Sequence, residues 1–227
     1  MYTISTSIYG ATILGAETSN PSDVDVVIIY AQDPALQLLN SQSGILKTDI
    51  KKGIHLHYFE IGELAGKICD GSSYAFISAI NPYVIATSPW QIMLDNILKS
   101  NLTMLFADEL VKYCEQLIEK EKELRVTEPY TYSSLTYLNF GLGYYHSELN
   151  ARRELLLQPP KEECTREQIK DKLDELKRRI EGAKELTYPT DDGKDKFVYD
   201  DEQFISQIQK WVITTRQMLL KNSEIYQ

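Results

Sequence analysis

With 43% hydrophobic and 25% charged side chains over 227 residues, the chain can bury a proper core, as one large domain or two small ones. A net charge of -9 argues against broad, sequence-independent binding to a nucleic-acid backbone. The three cysteines, Cys69, Cys114 and Cys164, lie far apart without C-x-x-C spacing, which points to reduced thiols rather than a disulfide scaffold.

The first ten residues lack the basic and apolar regions of a signal peptide. No stretch approaches the ~18 apolar residues of a membrane span. The expected location is therefore the cytoplasm, and no membrane partner is expected.

In chain order, the first informative stretch is Tyr9 to Tyr30, YGATILGAETSNPSDVDVVIIY. It opens on a Gly10-Ala11 turn, passes Gly15, and crosses a polar loop from Glu17 to Ser22. Asp23-Val24-Asp25 then leads into the apolar run Val26 to Tyr30. On a strand, residues two apart share a face, so Asp23 and Asp25 face one way. Val24, Val26 and Ile28 are expected on the other, against the core. Two like charges held that close repel, and a hard divalent cation bound by carboxylate oxygens relieves the repulsion.

Ala31 to Pro34 reads as a turn and Ala35 to Leu39 as a short helical piece. Ile54 to Phe59 alternates as a strand, with His55, His57 and Phe59 on one face. Glu60 to Ile68 has helical spacing, broken by Gly71-Ser72-Ser73; for Tyr74 to Ile80, periodicity does not choose between helix and strand. Tyr83 to Ala86 is β-prone. Ser88-Pro89-Trp90-Gln91 is a helix start, with serine as cap, proline in the first turn and Gln91 set to complete a capping box.

From there the chain reads as helical. Helices are expected at Trp90 to Lys99, Thr103 to Leu124, Tyr132 to Leu157, Thr165 to about Glu185, and from Asp200 onward. Thr165 and Gln168 have capping-box spacing, and Tyr188 to Lys196 reads as a loop. The expected organisation is an α/β part, residues 1–89, followed by a helical bundle, residues 90–227.

Glycine turn, polar spacer, Ser22-Asp23-Val24-Asp25 and apolar strand, in that order, resemble the DNA polymerase beta-like nucleotidyltransferase superfamily. The similarity runs from about Ile4 to Tyr30, more weakly to Pro89, and is nearest to the predicted nucleotidyltransferases of bacteria and phages. It implies an α+β core with a short mixed sheet, in which Ile4 to Tyr9 is the strand before the turn. It also implies a cytoplasmic enzyme of a bacterial or phage-infected cell. The implied reaction moves a nucleoside monophosphate from a nucleoside triphosphate such as ATP to a hydroxyl, releasing pyrophosphate. The acceptor would be a small molecule, a protein side chain or an RNA end.

The resemblance assigns catalysis to Asp23, Asp25 and His55, and a Mg or Mn site to Asp23, Asp25, His55 and His57. Nucleotide binding falls to Gly10, Ala11, Thr12 and Ser22. Two departures stand out. The family carries a third acid on the strand where this chain has His55 and His57. Three readings stay open: a histidine as metal ligand, a histidine as general base, or Asp49 or Glu60 as the acid in shifted register.

Ala11 also replaces the family's serine, removing a phosphate-binding hydroxyl. The alternative that these departures favour is a non-catalytic nucleotide- or protein-binding module on the same fold. Cations are scarce before residue 90, so Arg152 and Arg153 are candidates to meet phosphate, against their reading as a solvated helix face. Tyr130, Tyr132, Tyr137, Phe140, Tyr144 and Tyr145 are either a base-stacking stripe or core. Asp191 to Asp195 reads as a turn rather than a calcium loop.

Overall fold

The computed structural model describes residues 2–9, 24–32, 47–51, 54–80, 84–120, 129–145 and 164–224. Its fold is mixed α+β. Strands β1 (Tyr2–Tyr9), β2 (Val24–Ala31), β3 (Lys47–Lys51), β4 (Ile54–Glu60) and β5 (Val84–Thr87) form one mixed sheet, ordered β3-β4-β2-β1-β5. β2 is central, antiparallel to β1 and parallel to β4. Asp25 is paired with His55, so the expected adjacency of these two strands is present.

The face of β2 that meets the core is the reverse of the expectation. Val27, Ile29 and Ala31, which share Asp25's face, are fully buried, whereas Val24, Val26 and Ile28 are half-buried. The segment is apolar on both faces, so alternation alone cannot say which one is covered. The cover decides it. Helix α1 (Ile61–Cys69) packs on β2 and β4 and contributes Ile61, Leu64, Ala65 and Ile68 to the core. Asp25 thus lies at the rim of the packed face rather than on a solvent face.

Tyr74 to Ile80, ambiguous in the sequence, forms helix α2 (Ser73–Ala79), capped where the Ser72 hydroxyl accepts from Ala75 N. Helix α3 (Pro89–Ser100) starts at Ser88 with Pro89 in its first turn, but its capping box does not form. The buried Gln91 turns inward instead, its Nε2 donating to Ala79 O and to Asp95 Oδ1, both at 2.8 Å. The buried carbonyl at the end of α2 takes the Gln91 amide, and the Ser88 hydroxyl makes no cap hydrogen bond.

Helix α4 (Ala107–Lys120) begins four residues later than the pattern suggests. The chain before it is held elsewhere: Thr103 N donates to the Tyr144 hydroxyl at 3.0 Å and Met104 N to Asp201 Oδ1 at 2.7 Å. Helices α5 (Pro129–Tyr144) and α6 (Arg166–Lys184) pack on α4 and on each other. The Thr165 and Gln168 capping box at the start of α6 is complete; such a cap is worth ~1 kcal/mol.

The expected loop from Tyr188 to Lys196 is a hairpin of β6 (Thr187–Pro189) and β7 (Asp195–Phe197). Its turn holds Gly193 at φ 76°, a conformation glycine adopts without strain, so the turn reading of Asp191 to Asp195 stands. Helix α7 (Asp201–Glu224) packs on α1 and α3, and Trp211 Nε1 donates to Trp90 O at 2.9 Å.

Phe76 of α2 is the hub of an aromatic cluster, with ring centroids of Phe106, Phe140, Tyr144 and Phe204 at 4.5 to 6.1 Å. Tyr137, Phe140, Tyr144 and Tyr145 are buried core residues, so these four are not a base-stacking surface. Tyr130, Tyr132 and the end of the expected helix, residues 146–157, fall outside what can be described of side chains or backbone. The cysteines are free thiols. No helix among the described residues is long and apolar enough to cross a membrane.

Candidate active site

β2 and β4 run parallel, so their first residues lie side by side at one end of the sheet. Asp25 and His55 are register partners, and His57 stands two residues further along the same face, opposite Val27. Asp25 Oδ1 lies 3.3 Å from His55 Nδ1 and 3.0 Å from His57 Nε2. One carboxylate oxygen therefore faces two imidazoles, one across the strand gap and one on the diagonal. All three side chains are between 22% and 30% exposed. The group is open enough to be reached and closed enough for its hydrogen bonds to count.

Tyr74 reaches this cluster from α2. Its ring meets the His57 ring edge-on, centroids 6.5 Å apart, and tilts against Phe59 at 5.9 Å. Burial pushes its phenol up to about 12, and the nearby Asp25 charge acts in the same direction. Sequence reasoning missed Tyr74, because it opens an apolar run, YAFISAI, with nothing to separate it from core.

The two alternative acids fare differently. Glu60 sits at the far end of β4, opposite Tyr30, five register positions from His55. It is buried and committed: its Oε2 caps α1 by accepting from Gly62 N at 2.6 Å, and Arg216 of α7 donates to both its oxygens at 3.1 and 3.2 Å. Glu60 is therefore not a third acid in shifted register. Asp49 pairs with Leu56, at the register position between the histidines.

The other expected site residues, Gly10, Ala11, Thr12, Ser22, Asp23, Arg152 and Arg153, lie outside the described residues. Among the described residues, no three His, Cys, Asp or Glu groups are arranged to hold a metal ion. The chemistry agrees. His57 Nε2 is hydrogen-bonded to the Asp25 carboxylate, and a ring nitrogen that donates there has no lone pair for a metal. Asp25 and His57 as placed are a hydrogen-bonded pair with His55 Nδ1 alongside at 3.3 Å, and the three do not by themselves fit a metal.

No family model and no curated protein matches the chain. Among solved structures, a nucleotidyltransferase-like protein from Exiguobacterium sibiricum 255-15 is similar over 80% of this chain and 69% of that one, at 14% identity and a TM-score of 0.31. At that score the likeness bears no weight for fold or function.

Proposed function

We propose that the chain is a nucleotidyltransferase, moving a nucleoside monophosphate from a triphosphate to a hydroxyl acceptor with release of pyrophosphate. The observation that carries the reading is the meeting of Asp25 with His55 and His57 at one end of a mixed sheet. The sequence resemblance puts its paired-carboxylate strand and the neighbouring acid strand at that same juncture. In this reading residues 1–89 carry the reacting groups and the helical residues 90–227 close over them. Gly10, Ala11, Thr12 and Ser22 cradle phosphate, and Arg152 and Arg153 add positive charge. Magnesium or manganese, held through Asp23 and Asp25, supplies the remaining charge that a triphosphate needs. Asp25 keeps its orientation through the two histidines. A small molecule or protein fits the acidic chain better than RNA as acceptor.

One observation favours a second reading, a nucleotide- or protein-binding module without catalysis. Asp25 Oδ1 is already engaged by both imidazoles, and the described residues hold no three-group metal set. The test is a calorimetric titration of nucleoside triphosphates with Mg or Mn, alongside an assay for pyrophosphate release. Saturable binding with release, both lost in Asp25→Asn, is the expected result. Binding without release supports the module. Triphosphate binding unchanged in Asp25→Asn would remove both readings from this site.

A further inference from the structure

The two edges of the main sheet are built differently. At one edge, β3 carries Lys47, Asp49 and Lys51, and charges on an edge strand discourage pairing with another chain. At the other edge, β5 reads Val84-Ile85-Ala86-Thr87, with all four residues exposed and no strand on its outer side among the described residues. Ile85 is 61% exposed, the most of any large apolar side chain described. It is also the extra residue of a bulge: Thr6 pairs with Ala86 and Ser7 with Val84, so Ile85 has no register partner in β1. Helix α3, which begins two residues after β5 and packs on β1, adds the exposed Ile92 and Met93. We propose that this surface is where a second copy of the chain docks, β5 against β5, joining two five-stranded sheets into one.

Charge and symmetry single out a second copy as the occupant. Each copy carries a net charge of -9, so two copies repel unless they meet through a surface free of acid. From Gly71 to Leu94 the chain has no charged residue, and that stretch contains β5 and the start of α3. Antiparallel strands related by a twofold axis set residues of the same sheet face opposite one another. With the axis at Ile85, Ile85 of one copy meets Ile85 of the other, and Val84 meets Ala86. The same operation on β3 would set Asp49 against Asp49 and Lys47 against Lys51, like charge to like. Only β5 is its own complement. The pairing occupies β5 in both copies and leaves β3 as both outer edges, so the assembly closes at two. One short strand and two helix side chains make a small interface, below about 1,200 Å² in total, so the dimer depends on concentration. None of this rests on the proposed function.

The experiment is analytical ultracentrifugation of the full chain, from low micromolar to several hundred micromolar protein. The mass should pass from that of one copy to that of two, and at lower concentration in high salt, which screens the repulsion between acidic copies. Ile85→Glu would bury an unpaired charge at the twofold axis and should move that transition up by about tenfold or more in concentration. Its circular dichroism should stay that of the wild type, because Ile85 is exposed. Ile213→Glu, on an exposed part of α7, should leave the transition in place. Ile85→Cys should form a disulfide-linked dimer on mild oxidation, whereas the wild type, with Cys69, Cys114 and Cys164, should not. A wild type that stays at one copy throughout would overturn the proposal, whatever other strand binds the edge. A dimer untouched by Ile85→Glu would also overturn it, since the copies would then meet elsewhere. Should Ile85→Glu fail to fold, the cross-link decides: no covalent dimer from Ile85→Cys rejects the β5 pairing.

Discussion

The two ends of β4 each hold a carboxylate against nitrogen donors from elsewhere in the chain, and they use it in opposite ways. At one end Asp25 meets two imidazoles and stays 29% exposed, with contacts made through Oδ1. At the other, about 16 Å away at ~3.3 Å per residue, Glu60 is 2% exposed, caps a helix and is forked onto Arg216. Glu60 has its oxygens spoken for by backbone and guanidinium, and it joins the sheet to the last helix. Asp25 is met by two imidazoles that are themselves partly exposed. A buried acid whose two oxygens are taken by a helix start and a guanidinium is a joint; a half-open acid beside partly exposed imidazoles is a place for chemistry.

Removal of each carboxylate should separate the two roles most clearly. Glu60→Ala strips a buried partner from Arg216 and a cap from α1, and should lower unfolding free energy by about 2–4 kcal/mol in urea denaturation. Asp25→Ala should cost less than ~1 kcal/mol in the same measurement, since its surroundings are half-open. Equal losses would erase the distinction.

A smaller effect lies in the alkaline range and belongs to the Asp25 end. The Tyr74 phenol is raised from 10.0 to about 12 in the folded chain. The unfolded chain therefore loses this proton first, and stability falls as pH rises from about 10 towards 12, being unaffected by this group below that window. Urea midpoints across this range should drop less steeply in Tyr74→Phe than in the wild type. An unchanged slope would mean that Tyr74 is not the buried phenol described. Cys114, pushed up to about 12 by burial, adds a fall of the same sign, so the comparison must be between variant and wild type.

The smallest effect tests how tightly the Glu60 joint is built. A Cβ on Gly62 would stand 2.6 Å from Arg216 Nη2 and 2.9 Å from Glu60 Oε2. Both neighbours are side-chain tips that can shift, and alanine gains ~1 kcal/mol of helix propensity. Gly62→Ala should therefore destabilise by only about 1 kcal/mol net, and should do so in the wild type but not in Arg216→Ala. A thermal-unfolding double-mutant cycle reads that coupling.

Much of the sheet was legible in the residues. Asp25 and the histidines fall on strands because of alternation, and their meeting follows from one parallel pairing. Which face of β2 is covered was not legible, since Val24 to Ala31 is apolar on both. The two capping-box patterns look alike in sequence, yet only Thr165 and Gln168 form one. Gln91 was drawn away by a carbonyl twelve residues upstream. Arg216 is 156 residues from Glu60, and Tyr74 is embedded in an apolar run. Neither long-range contact leaves a local pattern, so both had to come from packing.

The placement of α7 has a consequence for how the chain is made. Its core residues Phe204, Ile208, Trp211 and Leu219 are synthesised long after α1, on which this helix packs and which is complete by Cys69. At translation rates of ~5–20 residues per second, the apolar side of α1 and α3 waits roughly 7–30 s for its cover. During that interval the nascent chain presents an uncovered apolar surface to the cell, a natural contact for chaperones. Native packing around the Glu60 joint therefore waits for α7, whose Arg216 must emerge before Glu60 meets its guanidinium partner.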